Sequence, residues 1–156
     1  MAHGLPPCRA VCQVADLMTP RPITVTVDTP VRDVFRTMNE RRFRHMPVVD
    51  NEGRLLGLVS QYYLLRVMDP SQSLPELDRP IADIMARTVD TVLAERCAAE
   101  AARHMLRTKR SCLPVVDADR KVVGILTEAD YLRLATRGNP PCTCGGVNEA
   151  NHTWVA

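Results

Sequence analysis

The chain has 156 residues, of which 46% are apolar, 24% charged and only 4% aromatic. That length suits one domain of ordinary size or two small ones sharing a core, and the ordinary charged fraction excludes a disordered polyelectrolyte. A net charge of +2, from 20 Lys+Arg against 18 Asp+Glu, gives no support to a nucleic-acid binder whose affinity rests on neutralising phosphates.

Residues 1–12 read as an N-terminal extension. They lack the apolar stretch of a signal peptide, and no apolar run approaches the roughly 20 residues that cross a bilayer. A cytoplasmic protein without a membrane partner is the expectation. From residue 13 the chain repeats itself. Shifted by 67 residues it lies on its own sequence without a gap. Asp16 and Met18 fall on Asp83 and Met85, Pro47-Val48-Val49-Asp50 on Pro114-Val115-Val116-Asp117, Gly57 on Gly124, and Leu65-Arg66 on Leu132-Arg133.

Copy one covers residues 13–69. A short helical turn holding Leu17-Met18 is followed by a β segment at Ile23-Thr24-Val25. A helix then begins, with Thr29 placed as its N-cap and Pro30 at its first position. Val31, Val34, Phe35 and Met38 recur at i, i+3, i+4 and i+7, one apolar stripe. Strands follow at 46–49 and 55–59, joined by Asp50-Asn51-Glu52-Gly53, a hairpin in which Gly53 is free to take positive φ. A last helix starts at Ser60. The linker 70–80 is punctuated by Pro70, Pro75 and Pro80 and reads as extended. Copy two, 81–136, repeats the order, with Ala98, Ala101, Ala102 and Met105 as its stripe and Thr127 opening its last helix. Residues 137–156 form a tail without periodicity.

Each unit is β-α-β-β-α, so the fold class is α+β. Units of about 50 residues bury little core alone. The expectation is a pseudo-two-fold pair burying a shared face, with two similar clefts where the copies meet.

The opening DLMTP and DIMAR, the central HMPVVD and CLPVVD, and the closing GLVS and GILTEAD make each copy resemble a CBS domain, the module named after cystathionine β-synthase. The tandem resembles a Bateman module over roughly residues 13–136. The resemblance implies copies packed through their sheets. It implies clefts that bind adenosyl ligands (AMP, ADP, ATP, S-adenosylmethionine or dinucleotides), a regulatory rather than catalytic role, and a homodimer.

The chemistry of the closing segment agrees with that implication. Gly124-Ile125-Leu126-Thr127-Glu128-Ala129-Asp130 ends a strand and opens a helix, where free backbone N–H groups and a hydroxyl suit a phosphate. Asp130 lies one turn on, where a carboxylate can accept two ribose hydroxyls, and Gly124 allows close approach of a ligand. By resemblance Thr127 contacts phosphate or ribose, and Asp130 contacts ribose. The same Thr-x-x-Asp spacing also fits a capping box, which only stabilises a helix start. Copy one keeps Gly57 and Ser60 but has Tyr63 in place of the aspartate. A phenol cannot accept two hydroxyls as a carboxylate does. The reading is one good nucleotide site, in copy two, with the copy-one cleft degenerate, empty or repurposed.

Cations for a phosphate are at hand in Arg41, Arg42, Arg44 and His45 of copy one, and in Lys109 and Arg110 of copy two. They also read as solvated basic helix ends that complement the helix dipole. By resemblance, Arg44 and His45 reach a nucleotide held by Asp130, and Thr29 and Phe43 line its base pocket. Met18 and Met85 read as core. No GxSxG elbow, P-loop lysine or HExxH motif is present, so no catalytic residues are assigned.

Six cysteines complete the inventory. Cys97 and Cys112 fall inside the repeat and read as structural or cleft-lining. Cys8, Cys12, Cys142 and Cys144 flank it. They offer four thiolates for zinc or an iron–sulfur cluster if the ends meet, or stand as free thiols. A metal or redox module using these tails, and a ligand-free scaffold that dimerises and docks a protein target, are the two alternatives to a nucleotide sensor.

Overall fold

The computed structural model describes residues 13–67 and 77–136. Copy one supplies α1 (Val14–Leu17), β1 (Thr19–Pro20), β2 (Val25–Thr26), α2 (Val31–Arg41), β3 (His45–Val49), β4 (Leu55–Ser60) and α3 (Gln61–Val67). Copy two opens with a single 3-10 turn at Ile81–Asp83. It continues as β5 (Val92–Leu93), α4 (Ala98–Thr108), β6 (Cys112–Val116), β7 (Val122–Thr127) and α5 (Glu128–Thr136).

The apolar stripe of α2 does what its spacing requires. Val31, Val34 and Met38 are fully buried against Met46, Val48, Val59 and Leu64. In copy two, Ala101 and Met105 of α4 meet Val92, Leu113, Val115 and Leu126. Both helices end on a residue in the left-handed region, Arg42 at φ 57° and Lys109 at φ 54°. The hairpin tip of copy one has Gly53 at φ 84°, and Arg120 takes the same place in copy two at φ 62°.

The start of α2 differs from expectation. Pro30, not Thr29, is the N-cap residue, and no side chain caps the helix. The Thr29 hydroxyl faces that of Thr26 at 3.3 Å. A side-chain cap is unnecessary because the end of the linker satisfies the first amides: Val31 donates to the Arg79 carbonyl and Arg32 to that of Leu77, each at 3.0 Å.

In the sheet β2-β3-β4, β2 runs parallel to β3 and β3 antiparallel to β4. The second sheet has the order β1-β7-β6-β5. Its edge strand, β1, comes from copy one, with Thr19 opposite Ile125 and Pro20 opposite Gly124. The reciprocal contact joins Leu58 and Ala86 through two 2.9 Å backbone hydrogen bonds. The copies therefore exchange their opening segments. Val14 lies in the core of copy two, and Ile81 and Met85 lie in the core of copy one. The shared face expected from the repeat is an interlock, and neither core is complete without the other copy.

The two repeated glycines belong to this exchange. A Cβ on Gly57 would stand 2.6 Å from the Met85 sulfur and 2.9 Å from the Ala86 carbonyl; one on Gly124 would stand 2.3 Å from the Met18 sulfur. The close approach to Gly124 expected of a ligand is thus taken by Met18. Met18 and Met85 pack in the cores, as expected.

Candidate functional site

The interlock leaves two cavities related by the pseudo-two-fold. The copy-two cleft encloses about 480 Å³. Its floor is the strand-to-helix junction of copy two, with Ile125, Thr127, Glu128 and Ala129. Its walls come from copy one: Arg21, Pro22 and Ile23 from the exchanged segment, and Arg41 to His45 from the end of α2 and the start of β3. Five arginines face it (Arg21, Arg41, Arg42, Arg44 and Arg133) against one carboxylate, Glu128. Arg21 holds φ 47°, a left-handed backbone that costs a non-glycine residue about 1–2 kcal/mol.

The copy-one cleft encloses about 520 Å³. Leu58, Ser60 and Gln61 lie where Ile125, Thr127 and Glu128 lie in its counterpart, and Tyr62 and Tyr63 flank them. Two differences separate the clefts. Ile23 and Phe43, an apolar pair in the copy-two cleft, are replaced at matching positions by Asp90 and Arg110. These two form an ion pair at 3.4 Å, and Asp90 also meets the buried His104 at 3.2 Å. The second difference is Tyr63, half exposed beside Tyr62 with ring centres 5.9 Å apart.

Of the residues singled out from the sequence, the structure brings Phe43, Arg44, His45, Ile125 and Thr127 into the copy-two cleft. Ser60 lines the other cleft. Gly124 lies under Met18, and Thr29 is turned toward Thr26. Asp130 is buried below Thr127. Its Oδ2 accepts the Thr127 backbone N–H at 2.7 Å and the Thr127 hydroxyl at 2.8 Å. Its Oδ1 accepts from Arg133 at 2.5 Å. The capping geometry that the spacing also allowed is therefore formed, and it fixes Thr127 at the cleft floor.

His45 Nε2 lies 3.1 Å from the Ser111 hydroxyl. Burial, and then the adjacent Arg44 guanidinium, lower the imidazole pKa to about 4, so it is neutral near pH 7 and shares a hydrogen bond with the Ser111 hydroxyl. Cys112, which replaces His45 in copy two, is buried, and its thiol is pushed up and inert. Cys8, Cys12, Cys142 and Cys144 lie outside the described residues. Among the described residues, no three His, Cys, Asp or Glu side chains gather to hold a metal, and no helix is long and apolar enough to cross a membrane.

Sequence reasoning missed Arg21, Pro22, Ile23 and Arg133. Arg21 to Ile23 differ from their copy-two counterparts, so the repeat carried no signal for them. Arg133 matches Arg66 across the copies, and that identity was the available clue.

Two interlocked α+β units with paired clefts, one lined by arginines around a helix start, define a tandem two-cleft module. The chain belongs to the CBS domain family, whose model matches residues 14–70 and 81–137. It is 32% identical over 149 residues to the chloroplastic CBS domain-containing protein CBSX2 of Arabidopsis thaliana, covering 78% of this chain and 63% of that protein. It is 29% identical to the L-aspartate semialdehyde sulfurtransferase of Methanocaldococcus jannaschii over 85% of this chain, but spans only 25% of that enzyme. The structure is similar to that of CBSX2 in complex with AMP (TM-score 0.73, 35% identity, 82% of this chain and 98% of that one). It is also similar to the CBS domain pair of protein MJ0100 in complex with 5′-methylthioadenosine and S-adenosyl-L-methionine (0.72, 27%, 81% and 97%). The cytosolic domain of the Mg2+ channel MgtE in complex with ATP matches at 0.66 (29%, 79% and 48%).

Proposed function

We propose that the chain is a non-catalytic regulatory module, a sensor of energy or metabolite state that binds an adenine nucleotide in the copy-two cleft. The observation that carries this reading is the lining of that cleft: an apolar pair, Ile23 and Phe43, for a base, and five arginines around Thr127 for phosphates. The field of those guanidiniums favours AMP, ADP or ATP over the cationic sulfonium of S-adenosylmethionine. Ribose hydroxyls take the place of Arg133 on Asp130 Oδ1, and the released guanidinium turns to the phosphates. The bound relatives support the ligand class: AMP in CBSX2, ATP in MgtE, and adenosyl thioethers and sulfonium in MJ0100. A homodimer fits the same reading, with exposed Leu65 and Leu132 at matching positions on α3 and α5.

Calorimetric titration with ATP, ADP, AMP, NAD and S-adenosylmethionine tests it. Binding of one nucleotide per chain at the tighter, copy-two site, lost on Thr127→Val, is expected. No heat with any of them at millimolar concentration overturns it.

A further inference from the structure

Four residues line both clefts: Arg44, His45, Ser111 and Glu128. They form the partition between the cavities, and the His45–Ser111 hydrogen bond at 3.1 Å joins the copies across it. Arg44 is the one cation common to both linings. The other cations are divided. Arg21, Arg41, Arg42 and Arg133 face only the copy-two cleft, and Lys109 and Arg110 face only the copy-one cleft.

We infer that the two clefts are coupled through this shared wall, so that a phosphate-bearing ligand in the copy-two cleft opposes the binding of a second anion in the copy-one cleft. This rests on the nucleotide reading given above. The argument is one of charge supply. A phosphate in the copy-two cleft engages Arg44, which is exposed and directed by no ion pair among the described residues. The copy-one cleft then keeps Lys109 and Arg110 against Asp90 and Glu128, and Arg110 is already held by Asp90 at 3.4 Å. Lys109 is its one cation left without a carboxylate partner among the described residues. The copy-one cleft thus accepts an anion well only while Arg44 is available to it. Coupling is reciprocal, so an anion placed first in the copy-one cleft weakens nucleotide binding by the same factor.

Amide NMR of the whole chain during an ATP titration reads each cleft separately. Ala129 and Thr127 report the copy-two cleft, and Gln61 and Lys109 the copy-one cleft. Ile23→Trp blocks the copy-two cleft at a half-exposed position outside the shared wall. In that variant the copy-one amides should reach half-shift at about tenfold lower ATP than in the native chain, a typical size for coupling between sites. Arg44→Gln should abolish this difference between the blocked and unblocked proteins. Equal copy-one midpoints in the native chain and in Ile23→Trp, or no copy-one shift in either, overturn the coupling. Native copy-two amides that do not move with ATP overturn the nucleotide reading instead, a separate and recognisable failure.

Discussion

His45 and Ser111 are 66 positions apart in sequence, yet their side chains meet at 3.1 Å on the wall that separates the two clefts. The partners are not equivalent positions of the repeat. His45 corresponds to Cys112, and Ser111 to Arg44. The pseudo-two-fold therefore generates two geometrically similar cavities, and the substitutions at its centre give them different chemistry.

The His45 contact has a consequence for stability. Its imidazole titrates at about 4 in the folded chain, against 6.5 when unfolded. Between those values the unfolded chain binds a proton that the folded chain does not, so stability rises with pH through this window. Acidification from about pH 6.5 toward 4 should lower the melting temperature. His45→Gln should flatten that slope, which circular-dichroism melts at a series of pH values would check. An unchanged slope would mean that His45 is protonated in the folded chain.

Asp130 carries three hydrogen bonds on a buried carboxylate. Asp130→Ala leaves the Thr127 amide and hydroxyl without their acceptor and should cost about 1–3 kcal/mol. Arg133→Ala removes only the exposed partner of the same carboxylate and should cost under about 1 kcal/mol. Urea denaturation of the two variants would rank them, and the reverse order would show that Arg133 rather than the helix cap holds the junction.

Much of this arrangement was legible in the sequence, and the limits have physical causes. The 67-residue repeat exposed the helix stripes because burial on one face forces a period of 3.6, and the strand pairs because apolar runs buried from Met46 to Val49 in β3 and throughout β6 recur in register. It exposed Thr127 because a hydroxyl at a strand-to-helix junction has a restricted set of uses. The exchange of opening segments was not legible. Val14 and Ile81 look the same whether they complete their own copy or the other, since burial pattern does not name the partner. Thr29 was misplaced as a cap for the same reason: the amides it would have satisfied are taken by the Leu77 and Arg79 carbonyls of the linker. The role of Gly124 was assigned to a ligand because sequence could not place Met18 above it.

The interlock makes the two glycines unequal. Gly57→Ala drives a Cβ against a backbone carbonyl, Ala86, as well as against Met85. Overpacking of this kind costs about 1–3 kcal/mol. At Gly124→Ala the three nearest atoms all belong to the Met18 side chain, which can change rotamer, so the cost should be less. Pairing Gly124→Ala with Met18→Ala should recover part of that loss in a double-mutant cycle. Equal costs at the two glycines would contradict a backbone contact at Gly57.

Tyr63 marks the point where the copies diverge most sharply, and it can be reversed. The Tyr63 backbone N–H donates to the Ser60 hydroxyl at 3.4 Å, so half of a capping arrangement survives in copy one. The return bond is missing because a phenol stands where copy two has Asp130. Tyr63→Asp would supply a carboxylate for the Ser60 amide and hydroxyl, with Arg66 placed three residues on, as Arg133 is from Asp130. The ring it removes is half exposed, so little packing is lost, and a restored cap should stabilise the chain by about 0.5–1 kcal/mol. Under the proposed function, the same change gives the copy-one cleft an acceptor for ribose. The Asp90–Arg110 ion pair would still occupy the place of the apolar base wall, so the gain in AMP affinity should stay near tenfold, about 1.4 kcal/mol. Thermal melts and calorimetry with AMP measure the two effects independently. A variant that is stabilised but gains no affinity would show that the base wall, and not the ribose carboxylate, decides which cleft holds the nucleotide.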